Sequence, residues 1–305
     1  MEKIVIVMAT YNGERFLSEQ IESIRNQTYR NWELLIRDDS SLDTTPEIIK
    51  YYEALDNRIK GIYGEINIGA VKNFSYLMKQ AKNFSYMMFC DQDDIWKEDK
   101  VEKSLQYIME KETKIKGTPI LAYCDKQEID SKSQEIYAAK RNYSDTLDDI
   151  LVQNHIYGCT MIINKKLWDM VKDIPAFVEN HDYWIAFIAA LRGNIVHIPE
   201  KLIQYRLHNT NVTGGINNYS LIAKIKNWNY INYIERKTMN QNYRLCQLWQ
   251  KERNDILEEY INIINERGIR RIWLAMKARY RRDNLLATVR YYYNLMCYDE
   301  KEYKN

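Results

Sequence analysis

The segment Asp91-Gln92-Asp93 offers two carboxylates one residue apart at the end of an apolar run, a spacing that lets both face the same hard cation. Mg2+ or Mn2+ would accept oxygen ligands there and keep sites open for a diphosphate. Such a cation offsets the charge that develops on a nucleoside-diphosphate leaving group. The other reading is a solvated acidic turn in which Asp93 or Asp94 caps the next helix. A second acidic turn, Asp38-Asp39, follows the run Trp32–Ile36, and Ala9-Thr10-Tyr11-Asn12 follows the run Ile4–Met8. A carboxylate at such a rim can accept from the imide N–H of uracil or thymine, with backbone groups near Ala9 completing the pairing. Helix capping by Asp38 or Ser40 is the alternative.

These turns need elements to hold them. The first half alternates strand and helix patterns at short spacing, which predicts a mostly parallel sheet covered by helices. Strands are predicted at Ile4–Met8, Trp32–Ile36, Ile59–Tyr63, Tyr86–Cys90 and Ile120–Cys124. Helices are expected where Leu17, Ile21 and Ile24 recur, where Ile48, Ile49, Tyr52 and Leu55 recur, where Val71, Phe74, Met78 and Ala81 recur, and around Lys97–Lys111. Thr44-Thr45-Pro46-Glu47 reads as a capping box with proline in the first turn. Further on, the pattern predicts a strand at Gly158–Ile163, a helix at Asp182–Leu191, and short strands at Ile195–Ile198 and Leu202–Tyr205. Ligands of open α/β sheets bind beyond the carboxyl ends of the strands, where the acidic turns stand.

With 305 residues, 46% of them apolar, the chain can bury a large core, and a net charge of +2 gives no general reason to expect nucleic acid. Five scattered cysteines without a CxxC pair predict reduced thiols rather than disulfides or zinc. The start lacks the apolar stretch of a signal peptide, and the longest apolar run, Tyr183–Leu191, is too short to span a bilayer, so a cytoplasmic location is expected. The first turn lacks the G-x-G-x-x-G of nicotinamide dehydrogenases, and no P-loop sequence is present. The glycine-rich loop of sugar-phosphate nucleotidyltransferases is missing too.

Three stretches carry a resemblance: Ile6-Val7-Met8-Ala9-Thr10-Tyr11-Asn12, Ser23-Ile24-Arg25-Asn26-Gln27-Thr28-Tyr29, and Trp32 through Ser41 with its Asp38-Asp39. In order and spacing they resemble the opening of family 2 glycosyltransferases. Asp91-Gln92-Asp93-Asp94-Ile95-Trp96 is similar to the D-x-D segment of bacterial rhamnosyltransferase-like members, and the likeness runs from about Lys3 to Thr213. It implies a GT-A type α/β/α sandwich over residues 1–215, with a nucleotide-sugar-binding half at 1–95 and an acceptor half at 96–215. A helical C-terminal extension at 216–305 follows, with the boundary at Gly214-Gly215.

The resemblance further implies that Ala9, Thr10, Asp39 and Lys72 line the nucleotide, and that Tyr11, Asn12 and Gln92 belong to the same rim. Asp91 and Asp93 would hold Mg2+ or Mn2+, Asp93 directly. Asn180-His181-Asp182 stands where the family has an E-D motif ahead of a helix, so Asp182 is the implied general base, with His181 in place of the glutamate. Gln204-Tyr205-Arg206-Leu207-His208 looks like the late motif, in which His208 completes the metal site and Arg206 offers a fork for the diphosphate. Gly158 is expected as a close backbone approach to the donor sugar, or as simple packing. The implied reaction moves a sugar with inversion onto a cell-surface polysaccharide or lipid-linked glycan precursor. dTDP-rhamnose is the first choice of donor, and a UDP-hexose or UDP-N-acetylhexosamine is the alternative. A sugar-nucleotide-binding scaffold without catalysis is the reading from another class.

Between Arg267 and Arg290 eight basic residues stand against one acid, Asp283, with Trp273, Met276, Leu285, Leu286 and Tyr291–Tyr293 interleaved. This pattern fits peripheral contact with an anionic membrane through 267–293, and equally a helical cap with a solvated basic face.

Overall fold

The computed structural model describes residues 1–136, 144–208 and 227–303. Eight strands form one sheet in the order β3-β2-β1-β4-β7-β6-β8-β5. They are β1 Ile4–Thr10, β2 Trp32–Asp38, β3 Ile59–Tyr63, β4 Tyr86–Cys90, β5 Ile95–Trp96, β6 Ile120–Ile129, β7 Met161–Asn164 and β8 Asn194–Arg206. Strands β3, β2, β1 and β4 are parallel neighbours, as their long apolar runs predict.

In the second half the sheet becomes mixed, with β6 and β8 still parallel over ten residue pairs. β7 runs antiparallel to both β4 and β6, and β5 antiparallel to β8. The chain enters β7 through a single 3-10 turn, Gly158–Thr160, so the predicted strand at Gly158–Ile163 begins only at Met161. The two short strands expected at 195–205 are one long strand, β8. Its pairing with β6 steps from Ile198 to Lys201 and so skips Pro199, which has no N–H to give.

Alternation along β1 sends Ile4, Ile6 and Met8 to one face and Val5 and Val7 to the other, all fully buried. The first face packs on α1 (Leu17–Arg25), α2 (Thr45–Leu55) and α4 (Lys100–Lys114) through Ile21, Ile49 and Val101. Burying each such side chain stabilises by about 1.5–3 kcal/mol. On the other face lie α3 (Ala70–Gln80), α6 (Lys165–Val171) and α7 (His181–Arg192). There Phe74 meets Phe89, and the Trp168 and Trp184 indoles donate to the carbonyls of Met78 and Val171. The capping box at Thr44–Glu47 does not form. The Thr44 hydroxyl donates to Glu14, Asp43 accepts from the Thr45 N–H, and Pro46 opens the helix as expected.

The chain divides into two compact units: residues 1–138 with 156–208, and residues 139–155 with 209–305. The expected boundary at Gly214-Gly215 lies outside the described residues. The second unit is helical where described, with α5 (Leu147–Val152), α8 (Trp228–Leu248), α9 (Asp255–Asn265), α10 (Gly268–Lys277) and α11 (Leu285–Cys297). Its interior is held partly by polar groups. Glu235 accepts from Arg282, Arg290 and Asn294 at 2.6–2.7 Å. No described helix is long and apolar enough to cross a membrane.

Candidate active site

Strand register builds one rim. Met8 pairs with Ile36 on one side and Cys90 on the other, so the chain leaves the sheet at Thr10, Asp38 and Asp91 along the same edge. The antiparallel β7 begins at that edge too, because Ile162 pairs with Met88, and this brings Gly158–Thr160 beside the acidic turn.

Several residues of the rim serve one another. Gln92 clamps the first turn from both sides: its carbonyl accepts from the Tyr11 N–H at 2.9 Å and its amide donates to the Tyr11 carbonyl at 3.1 Å. A Cβ at Gly13 would stand 2.4 Å from that Gln92 oxygen, so the clamp requires a glycine there. Asn12, left-handed at φ 47°, ties the turn to the second loop through Ser41 and Leu42. Asp38 accepts from the N–H and hydroxyl of Ser41, and Thr10 is buried beside it.

Asp39 is buried, paired with Arg37 at 2.5 Å, and accepts from the N–H groups of Ile68 and Gly69 at 2.8–3.1 Å. The Ile68 N–H reaches both oxygens, so each carboxylate oxygen takes two contacts and Asp39 orders the 67–69 loop at the rim. Ala9 is half-buried on the same rim, and Lys72 stands exposed in the first turn of α3.

The acidic turn divides its labour. Asp93 meets the imidazole Nε2 of His208 at 2.7 Å, both largely shielded from solvent. A carboxylate oxygen and an imidazole nitrogen so close could serve Mn2+ better than Mg2+, which takes oxygen ligands, but the ligand atoms of Asp91, Asp93 and His208 do not close to within 4.8 Å of one another. Burial, then Asp93 and Asp182 nearby, push the Asp91 carboxyl up to about 7. Ligand atoms of Asp91, Asp94 and Cys159 lie within 4.8 Å of one another. Burial holds the Cys159 thiol well above its ordinary value, so it stays protonated and is poorly suited to a hard cation. Asp94 is no helix cap: it is fully buried and accepts from the Arg206 N–H at 3.0 Å. Beneath lies the fully buried Lys100, whose ammonium donates to the Cys159 carbonyl and sits 3.9 Å from the Trp96 ring.

Arg206 corrects an expectation. Its guanidinium, 1% exposed, pairs with Glu19 at 2.6 Å and donates to the Asp93 carbonyl at 2.8 Å and the Ser133 hydroxyl at 2.9 Å. It braces the acidic turn from behind and is not a free fork for a diphosphate.

Asp182 sits at the start of α7 and accepts from the Tyr183 N–H at 2.6 Å. Burial pushes its carboxyl up to about 6, against the pull of the Tyr183 and Gly158 N–H groups. His181 stacks on Phe74 with ring centres 3.8 Å apart, and its Nε2 has no hydrogen-bond partner among the described residues. Burial lowers it to about 3, so it is neutral at ordinary pH. A Cβ at Gly158 would lie 2.5 Å from that nitrogen. Gly158 is therefore a close approach, but to His181.

The model of glycosyl transferase family 2 matches residues 5–170, more than half of the sequence. The chain belongs to that family. TuaG of Bacillus subtilis (strain 168), a glycosyltransferase assigned to teichuronic acid biosynthesis, is 30% identical over 76% of this chain and 88% of its own length. The dTDP-rhamnosyl transferase RfbG of Shigella flexneri is 30% identical over 72% of this chain and 77% of its own. Among solved structures, S. aureus TarS with UDP-GlcNAc superimposes with a TM-score of 0.60 at 18% identity, over 85% of this chain and 72% of that one. The mannosyltransferase PcManGT of Pyrobaculum calidifontis, with GDP-Man and Mn2+, gives a TM-score of 0.57 at 13% identity, over 94% and 78%. The fold is of the GT-A type, and the chain is a family 2 glycosyltransferase that uses a nucleotide-sugar donor.

Within that family frame, the sequence gives little sign of what Asp94, Lys100, Glu19 and Cys159 do. Lys100 reads as a solvated helix residue, and Glu19 as one more acid on α1. Four consecutive polar residues ending in Asp94 before the apolar Ile95-Trp96 are the one local hint that the last of them turns inward.

Proposed function

We propose that this chain transfers a sugar with inversion from a nucleoside-diphosphate donor to a hydroxyl of a cell-surface polysaccharide or lipid-linked glycan precursor. The observation that carries this is one rim that holds Thr10, Asp39, the Asp93–His208 pair and Asp182 together with the N-terminus of α7. Asp93, His208 and Asp91 would hold Mg2+ or Mn2+, which supplies Lewis acidity toward the departing diphosphate. Asp39 and the 67–69 loop it orders, with Ala9 and Thr10, would cradle the base. Asp182 takes the acceptor hydroxyl's proton as its oxygen attacks the anomeric carbon, and single displacement inverts that carbon. A carboxyl raised to about 6 is ionised near neutral pH yet basic enough for the task.

The similarity to a dTDP-rhamnosyl transferase supports dTDP-rhamnose as first donor. Thymine and uracil present the same imide edge, so UDP-glucose and UDP-N-acetylglucosamine are the competitors. Calorimetry of the three donors, with Mn2+ and with EDTA, on the wild type and Asp93→Ala decides between them. Metal-dependent binding of one donor, lost in the variant, names the sugar. Binding of none by folded protein removes these three donors and moves the assignment to another nucleotide sugar.

A further inference from the structure

The helical unit turns an unusual face to solvent. On α10, Ile269, Trp273 and Met276 follow one another at helical spacing and are 81%, 60% and 59% exposed. They form a single narrow stripe. The opposite side of the same helix buries an arginine: Arg271 donates to the carbonyls of Leu295, Tyr298 and Ile264 at 2.6–2.9 Å. On α11, Leu285, Leu286, Val289, Tyr293 and Met296 again share one exposed arc, while Tyr291 and Leu295 turn inward. Two adjoining helices thus place a cation inside and apolar side chains outside, the reverse of what water favours.

The charges sort in a telling way. Of the eight basic residues from Arg267 to Arg290, three work inside the unit: Arg271 on the carbonyls, Arg282 and Arg290 on Glu235. The other five, Arg267, Arg270, Lys277, Arg279 and Arg281, are exposed. Arg270 and Lys277 border the α10 stripe, one step round the helix from Ile269 and Met276. Arg270 shares an exposed pair with Glu266 at 3.2 Å, and the remaining four have no carboxylate partner among the described residues.

We propose that the exposed stripes of α10 and α11 dock on an anionic lipid surface, with the apolar side chains entering the headgroup boundary and the five cations facing lipid phosphates. Apolar area together with positive charge is what interfacial binding requires. A second copy is the less suitable occupant, because a two-fold contact would press each cationic rim against its own image. The proposal is independent of the donor and of the catalytic residues, and its test needs neither.

The experiment is sedimentation of the full chain with vesicles of phosphatidylcholine alone, or with about one third phosphatidylglycerol, at about 0.1 M and about 1 M NaCl. Binding to the anionic vesicles at least about tenfold tighter than to neutral ones, and weakened by salt, is expected. Arg270→Glu with Lys277→Glu should remove that preference. Trp273→Ser with Leu286→Ser should weaken binding about tenfold or more while circular dichroism is unchanged. These positions are exposed, so the variants keep their fold. Equal binding to both vesicle types, or no binding, overturns the proposal. A concentration-dependent dimer in analytical ultracentrifugation that Trp273→Ser abolishes, without vesicle binding, overturns it in favour of a second copy.

Discussion

Asp182 carries the sharpest expectation. Asp182→Asn removes the proton acceptor and little volume, so kcat should fall by about 100- to 10,000-fold while donor affinity by calorimetry stays within a factor of two or so. An equal loss in both would mean that Asp182 binds donor instead. The pH profile tests the same residue. Burial raises its carboxyl to about 6, which means the folded protein holds that proton more tightly than the unfolded chain does. The base is therefore ionised above about 6 and lost below it. kcat/KM should drop about tenfold per pH unit on the acid side. A flat profile down to pH 5 would exclude Asp182 as the base.

At the scale of elements, the turn into β7 and the start of α7 are fitted to each other. A methyl group at Gly158 would stand 2.5 Å from His181 Nε2, and a shift of that ring would disturb its stack on Phe74 at 3.8 Å. Gly158→Ala should cost about 1–3 kcal/mol in urea denaturation, as overpacking does. His181→Ala removes the obstacle, so the double variant should be more stable than the sum of the single losses predicts. Additive losses would show that Gly158 matters for another reason. The adjacent Asp182 shares this anchor, so Gly158→Ala should also lower kcat.

At the scale of the whole molecule, polar interiors matter as much as apolar ones. In the helical unit, Arg271 serves three carbonyls from two segments of chain, Ile264 near the end of α9 and Leu295 and Tyr298 at the end of α11. Arg271→Leu would leave them buried without donors. At about 1–3 kcal/mol for each unsatisfied group, a loss of about 3 kcal/mol or more is expected. For a chain of this size that lowers Tm by about 6–12 °C, measurable by calorimetry. In the first unit Arg206 has the same kind of work, since it joins Glu19, Ser133 and the Asp93 carbonyl from distant parts of the sequence.

The sequence alone was enough for what depends on local period and turn chemistry. Apolar runs such as Ile4–Met8 and Tyr86–Cys90 are buried parallel strands, helix faces such as Leu17, Ile21 and Ile24 pack on the sheet, and the acidic turns stand at strand ends. The family was legible for the same reason, because its motifs are short and keep their spacing. Only the tertiary structure decided which polar residues turn inward. Arg206 and Lys100 have no local mark of burial, and their partners come from segments tens of residues away. The meeting of His208 with Asp93, 115 positions apart, depends on β8 returning past β5. The C-terminal run of cations shows the limit most clearly. Nothing in its spacing separates Arg271, Arg282 and Arg290, held by buried acceptors, from five neighbours left in water. Burial and pairing are properties of the assembled unit, where desolvation makes each charge find a partner or stay outside.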